Sequence, residues 1–241
     1  MAVFVGLFTG CVDLQPVMPE VRYVAFGDSA TRGPSDRDYP EQLAELLGIE
    51  AEAIVNAGDG GERIADGRAR LADLIASDIY PNANTLLFWQ GGNDLIDLIG
   101  EIDPFLFWSP SDPDYPFDEE VDPLFDQIAG DLEAAIQLGR QNGWAVFVAT
   151  YYPIQSGFSS CSAVPLNVLL PGQAERANEY VDRLNERIRL IAIASGAKLV
   201  DVARELPDVA SDPANYHNCN HLSATGNRLA AEVFADAIQS P

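Results

Sequence analysis

Five apolar runs rich in β-branched and aromatic residues, at 21–26, 51–55, 85–89, 144–150 and 198–202, alternate with stretches of helical periodicity. No other feature of the chain limits its fold so strongly. The helical stretches fall at 39–47, 63–75, 121–138, 174–194 and 222–238; the fourth puts Tyr180, Val181, Leu184, Ile188 and Ile191 on one stripe. Near-continuous apolar strands mark a parallel sheet covered on both faces, because each crossover helix shields one side. Right-handed crossovers then leave few topologies. The pattern predicts an α/β fold, a flavodoxin-like three-layer α/β/α sandwich with a five-stranded parallel sheet in the order 2-1-3-4-5. Its switch point lies between strands one and three, and ligands bind beyond the carboxyl ends of strands at such a point.

Two segments break the alternation. Residues 101–120 are rich in proline, aspartate and aromatics (Phe105, Phe107, Trp108, Tyr115, Phe117), and 153–171 contain Gly157, Cys161, Pro165 and Val168-Leu169-Leu170. Loops of this length inside a compact domain are usually functional or disordered. Both are expected at the active-site edge, as cap or substrate-binding loops inserted into one domain spanning 21–241.

The charge balance excludes some partners. Fourteen basic against 37 acidic residues give a formal net charge of −23, and Lys198 is the only lysine. Such a surface repels phosphate backbones, so nucleic acid is not an expected partner. No metal-ligand cluster stands out, since His217 and His221 lack a nearby carboxylate motif. Gly58-Asp59-Gly60-Gly61 lacks the lysine of a phosphate-binding loop, so no cofactor is expected.

Chemistry gathers at four places. Phe26-Gly27-Asp28-Ser29-Ala30-Thr31-Arg32-Gly33 ends the first run, Asn56-Ala57-Gly58 the second and Gly91-Gly92-Asn93-Asp94 the third. Asn218-Cys219-Asn220-His221-Leu222-Ser223 precedes the last amphipathic segment. A serine, a glycine, an asparagine and a histidine in this order resemble the SGNH (GDSL-type) esterase and lipase family. The resemblance implies Ser29 as nucleophile and His221 as base. It also implies an oxyanion hole from the Ser29 and Gly58 backbone N–H groups and the Asn93 side chain. Acyl transfer needs these parts: a serine is inert without a base, and the oxyanion needs fixed donors. His221 matches the family's pattern, whereas Ala214, three residues before His217, can play no polar role; His217 reads as a loop residue. Ser223 is expected to cap the last helix. Asp28 reads as a support for the turn. At the second block the family often has serine and threonine where this chain has Gly60 and Arg63.

One position departs from the family: Asn218 stands where it has its catalytic aspartate. An asparagine can accept the imidazole Nδ1–H but brings no charge, and its amide can flip and favour the wrong tautomer. Three readings stay open. Ser29 and His221 work as a dyad oriented by Asn218 or a backbone carbonyl; another carboxylate, such as Asp201, Asp208 or Asp212, approaches His221; or the protein is a weak enzyme or a binding module.

The resemblance thus implies a metal-independent serine esterase acting on small ester substrates, short-chain acyl or acetyl esters first, through an acyl-enzyme. A lysophospholipase or thioesterase of the same family is the enzymatic rival. A catalytically impaired extracellular binding protein is the rival of another class. A monomer is expected. The apolar leader within 1–20 ends in Phe8-Thr9-Gly10-Cys11, which resembles a lipobox, although no basic residue precedes it. A membrane tether through lipidated Cys11 and a secreted or cell-envelope location follow as expectations, with the cytoplasm as the alternative. Cys161 and Cys219 then remain as a pair for one disulfide.

Overall fold

The computed structural model describes residues 20–33, 37–159, 161 and 167–240. Cys11 and the leader up to residue 19 lie outside the described residues. Five parallel strands, β1 (Tyr23–Gly27), β2 (Ile54–Gly58), β3 (Thr85–Trp89), β4 (Ala145–Ala149) and β5 (Lys198–Val200), form one sheet in the order β2-β1-β3-β4-β5. The expected topology is therefore the observed one. Val24, Ala25 and Phe26 of β1 and every residue of β3 are buried, as the unbroken apolar runs require of central strands.

Helices cover both faces. After β1 come α1 (Ser29–Arg32) and α2 (Tyr39–Leu47), and α2 packs against the C-terminal α8 (Ala224–Gln239) on one side of the sheet. On the other side α3 (Ile64–Ser77), α5 (Asp118–Gln141) and α6 (Pro171–Ser195) pack in succession, with α4 (Gly92–Ile102) against α5 and α6. Trp89, Tyr39 and Phe234 form an aromatic cluster, with Tyr39 stacked on Phe234 at 4.5 Å between ring centres. No helix among the described residues is long and apolar enough to cross a membrane.

Element boundaries differ from expectation where pairing decides them. Residues 51–53 form a 3-10 turn, because the register of β1 with β2 begins only at Tyr23 and Ile54; the Ala53 carbonyl accepts the Arg22 N–H at 2.9 Å. Asn56-Ala57-Gly58 is strand, in register with Ala25-Phe26-Gly27. The fifth run yields only three strand residues; Val202 already begins the short α7 (Val202–Glu205). The helix expected at 121–138 starts earlier, at Asp118 of α5, its first turn carrying Asp118, Glu119 and Glu120, whose charges favour a helix N-terminus.

A small hairpin of β6 (Tyr216–Asn218) and β7 (His221–Leu222) was not expected from periodicity, since strands of three and two residues carry no repeat. Ser223 caps α8 by accepting the Gly226 N–H. Cys161 and Cys219 are bonded, with Cα atoms 5.3 Å apart, tying the segment before α6 to the turn of this hairpin. The cross-link spans 58 residues of sequence, a loop whose closure restrains the unfolded chain by about 4 kcal/mol. Replacing both cysteines with alanine is expected to lower the free energy of urea unfolding by up to about that amount; unchanged stability would refute the restraint.

Candidate active site

Register places the site. Gly27 pairs with Gly58 on one side and Trp89 on the other, so three strands end level with one another. A Cβ at Gly27 would lie 1.8 Å from the Trp89 carbonyl oxygen, so only glycine lets β1 and β3 meet there. The next residue, Asp28, is buried and caps α1 by accepting the Ala30 N–H at 2.9 Å. Its other oxygen accepts the Gly92 N–H at 3.2 Å and the Tyr151 hydroxyl at 2.6 Å. Burial pushes its carboxyl up to about 6 despite these donors. Asp28 thus fixes the α1 turn against the start of α4 and the segment after β4, and Ser29 emerges at the first position of α1.

His221 on β7 completes a contact with Ser29 across 192 positions of sequence: Nε2 lies 2.9 Å from Oγ. Its Nδ1 lies 2.9 Å from Asn218 Oδ1. The same oxygen accepts the backbone N–H groups of Asn220 at 3.1 Å and His221 at 2.9 Å. Those two donors cannot be satisfied by an amide NH2, so they decide which end of Asn218 faces the ring. Nδ1 must then carry the proton, and Nε2 presents its lone pair to Ser29. The four orders of magnitude lost when a serine protease's aspartate becomes asparagine come from the wrong tautomer; here the hairpin excludes that tautomer. Burial lowers the affinity of His221 for a proton, with His217 nearby adding to the effect.

The alternative carboxylates are occupied elsewhere. Asp201 forms a two-pronged ion pair with Arg189 at 2.8 and 2.9 Å and accepts the Thr150 hydroxyl. Asp212 accepts the Ala214 N–H. No hydrogen bond from Asp208 or any other carboxylate reaches His221 among the described residues. His217 is exposed on β6.

The oxyanion side differs from expectation. Gly58 does not present a free N–H: it donates to Asn56 Oδ1 at 3.0 Å. A Cβ there would meet the Arg32 backbone nitrogen at 2.3 Å, so Gly58 is needed for α1 to pack on β2. Asn56 in turn holds the carbonyls of Thr31 and Arg32. The unpartnered amides of this turn, among the described residues, belong to Gly60 and Gly61. A Cβ at Gly60 would stand 3.8 Å from that of Ser29, so this part of the turn lies beside Ser29. Asn93 uses one amide hydrogen on the Glu62 carbonyl at 3.0 Å, keeping the other free. Asp94 caps α3 from a distance, accepting the Ile64 N–H at 3.0 Å, and burial raises it to about 6.

Ser29 and Asn93 open into a narrow cavity of about 50 Å³. Its walls are apolar: Leu95, Ile96 and Ile99 of α4, Ala177 and Val181 of α6, with Leu106, Ile154 and Leu169 from the two loop segments. Leu106 points inward from a left-handed backbone at φ 52°, an uncommon conformation for a leucine. It is held by the buried Asp103, which accepts the N–H groups of Phe107 and Trp108 at 2.9 Å each. Phe105, Phe107 and Trp108 stay exposed. Among the described residues no group of histidine, cysteine and carboxylate side chains is arranged to hold a metal.

A serine–histidine pair at the carboxyl edge of a five-stranded parallel sheet defines a class of serine hydrolases. The profile of the GDSL-like lipase/acylhydrolase family matches residues 25–229, and the chain belongs to that family. Solved structures share the fold at low identity. An acetylxylan esterase from Geobacillus stearothermophilus is 18% identical, with a TM-score of 0.62 over 92% of this chain and 95% of that one. A member of the lipolytic G-D-S-L family from Veillonella parvula is 16% identical, with a TM-score of 0.62 over 88% and 95%. The acetyl xylan esterase AlAXEase is 19% identical, with a TM-score of 0.60 over 90% and 100%. No curated protein matches the chain.

The neutral base predicts the pH profile. Because the imidazole pKa is lowered from 6.5, His221 stays unprotonated below that pH and loses activity only as pH falls through the lowered value. The acid limb of kcat/KM for ester hydrolysis is expected below pH 6.5. Asn218→Asp, by placing a carboxylate on Nδ1, should raise the limb by about one unit or more and increase kcat at pH 8. An unmoved limb would show that Asn218 does not face the catalytic ring.

Proposed function

We propose that the protein is a carboxylic ester hydrolase that transfers a short acyl group to Ser29 and then to water. The 2.9 Å contact between His221 Nε2 and Ser29 Oγ, with the tautomer set by Asn218, carries this reading. His221 takes the Ser29 proton as Oγ attacks the ester carbonyl, and returns it to the leaving alcohol. The second half repeats this with water as nucleophile. The Ser29 N–H at the first position of α1, the free amide hydrogen of Asn93 and the amides of Gly60 and Gly61 receive the negative charge that develops on oxygen. No metal or cofactor takes part in this scheme.

The cavity supports an aliphatic acyl group. Its aliphatic, narrow lining suits short aliphatic acyl chains. Two fold neighbours are named for acetylated xylan, so acetyl transfer from carbohydrate is the second reading. The Cys161–Cys219 bond supports an oxidising compartment, hence a secreted or cell-envelope location.

Two measurements test this. The rate on p-nitrophenyl esters should rise about fourfold per added methylene from acetate until the cavity is full, and Ser29→Ala should reduce it to background. Equal rates for the wild type and Ser29→Ala would sink the esterase reading; a flat chain-length profile with acetate release from acetylxylan would favour the carbohydrate reading. Asn93→Ala should lower kcat by about 10²- to 10³-fold, and a loss under threefold would remove Asn93 from the oxyanion hole.

A further inference from the structure

Beneath the Gly60–Gly61 turn lies a charge pair that takes no part in the scheme above. Glu62 has a side chain only 8% exposed, in a molecule with a large excess of acidic residues. Arg70 on α3 grips it with two prongs, Nε to Oε1 at 2.6 Å and Nη2 to Oε2 at 2.7 Å. Gln90, just after β3, donates to Oε2 at 2.8 Å and to the Arg63 carbonyl at 3.1 Å. Gly67 on α3 leaves room for that amide, since a Cβ there would lie 2.2–2.6 Å from it.

The same guanidinium reaches the ends of two strands. Nη1 donates to the Ala57 carbonyl at 2.8 Å, and Nη2 lies 3.4 Å from the Gly27 carbonyl. Its carbon sits 3.9 Å from the centre of the Phe26 ring. Gly27 leads into Asp28 and Ser29; Ala57 leads into the turn with the free amides; and the Glu62 carbonyl holds the Asn93 amide. One planar cation therefore touches, directly or through Glu62, every segment assigned to the oxyanion side. It touches nothing on the His221 hairpin among the described residues.

We propose that Arg70 and Glu62 are positioning residues for the oxyanion hole, setting the distance between the Ser29 turn, the Gly60–Gly61 turn and the Asn93 amide. The proposal rests on the esterase reading. The physical need is plain: the donors must stand about 3 Å from an oxygen that becomes charged only in the transition state. A misplacement of about 1 Å can cost on the order of 100-fold in rate. The three segments follow three different strand ends, Ser29 opening α1, Gly60–Gly61 in a turn and Asn93 in the first turn of α4. The fork of an arginine binds a carboxylate with both prongs and still has Nη1 free for Ala57, which a single lysine ammonium cannot reproduce.

The experiment compares kcat and KM for p-nitrophenyl butyrate in the wild type, Arg70→Lys and Glu62→Gln, with each change also made on Asn93→Ala. Expected are a fall in kcat of about 10- to 100-fold with KM within threefold, an acid limb that does not move, and weaker inhibition by butylboronic acid in proportion to kcat/KM. On Asn93→Ala the further loss should be smaller than on the wild type, because one of the positioned donors is gone. Circular dichroism and the intact disulfide report folding. Should Arg70→Lys not fold, Glu62→Gln, which keeps the side-chain volume, decides. Folded variants with kcat within threefold of wild type overturn the proposal, as does a loss equally large on Asn93→Ala. A wild type without turnover that Ser29→Ala abolishes refutes the esterase reading instead, and is recognised before any variant is measured.

Discussion

A buried carboxylate is the joint on which the site depends. Asp28 has no solvent, yet it binds the Ala30 amide of α1, the first amide of α4 and the Tyr151 hydroxyl. Each partner belongs to the segment following a different strand, β1, β3 or β4. The cost is visible in its raised proton affinity, at about 6 against an ordinary 3.8, a penalty on the order of 3 kcal/mol at neutral pH. The penalty is absent in acid, grows as pH rises from 3.8 and is full once pH has passed about 6. The fold tolerates it because the strands end level there and because Gly27 brings β1 against the Trp89 carbonyl.

The histidine side of the site obeys a different logic. Asn218 lacks the charge that would stabilise an imidazolium, and the hairpin compensates only for orientation, not for charge. Two backbone amides turn the Asn218 oxygen toward Nδ1, and the disulfide at the intervening Cys219 holds the turn. The outcome is an imidazole oriented toward Ser29 whose affinity for a proton is lowered by burial.

Much of this was legible in the sequence, for identifiable reasons. Strand 85–89 and helix 39–47 were located to the residue, because their apolar runs are buried on their whole length or on one clear face. Ser29, Asn93 and His221 stood in short motifs at strand or helix boundaries. Gly58 was assigned a free amide that it lacks, because one glycine-rich turn offers several candidates and only the Asn56 side chain distinguishes them. Arg70, Glu62, Gln90 and Tyr151 were not singled out at all. Their partners lie 8 to 123 positions away, and nothing in local periodicity marks such pairs. The apolar cavity was equally hidden, since α4, α6 and two loops contribute its walls from four separate segments.

The sequence by itself determined the sheet, its order and the short motifs that hold Ser29 and His221, because apolar periodicity and motifs are local properties. Tertiary structure alone decided which end of Asn218 meets His221, which amides of the 58–61 turn are free, and which apolar side chains line the cavity beside Ser29. Those answers depend on hydrogen-bond partners and van der Waals contacts between segments distant in the chain, where a difference of one ångström changes the chemistry.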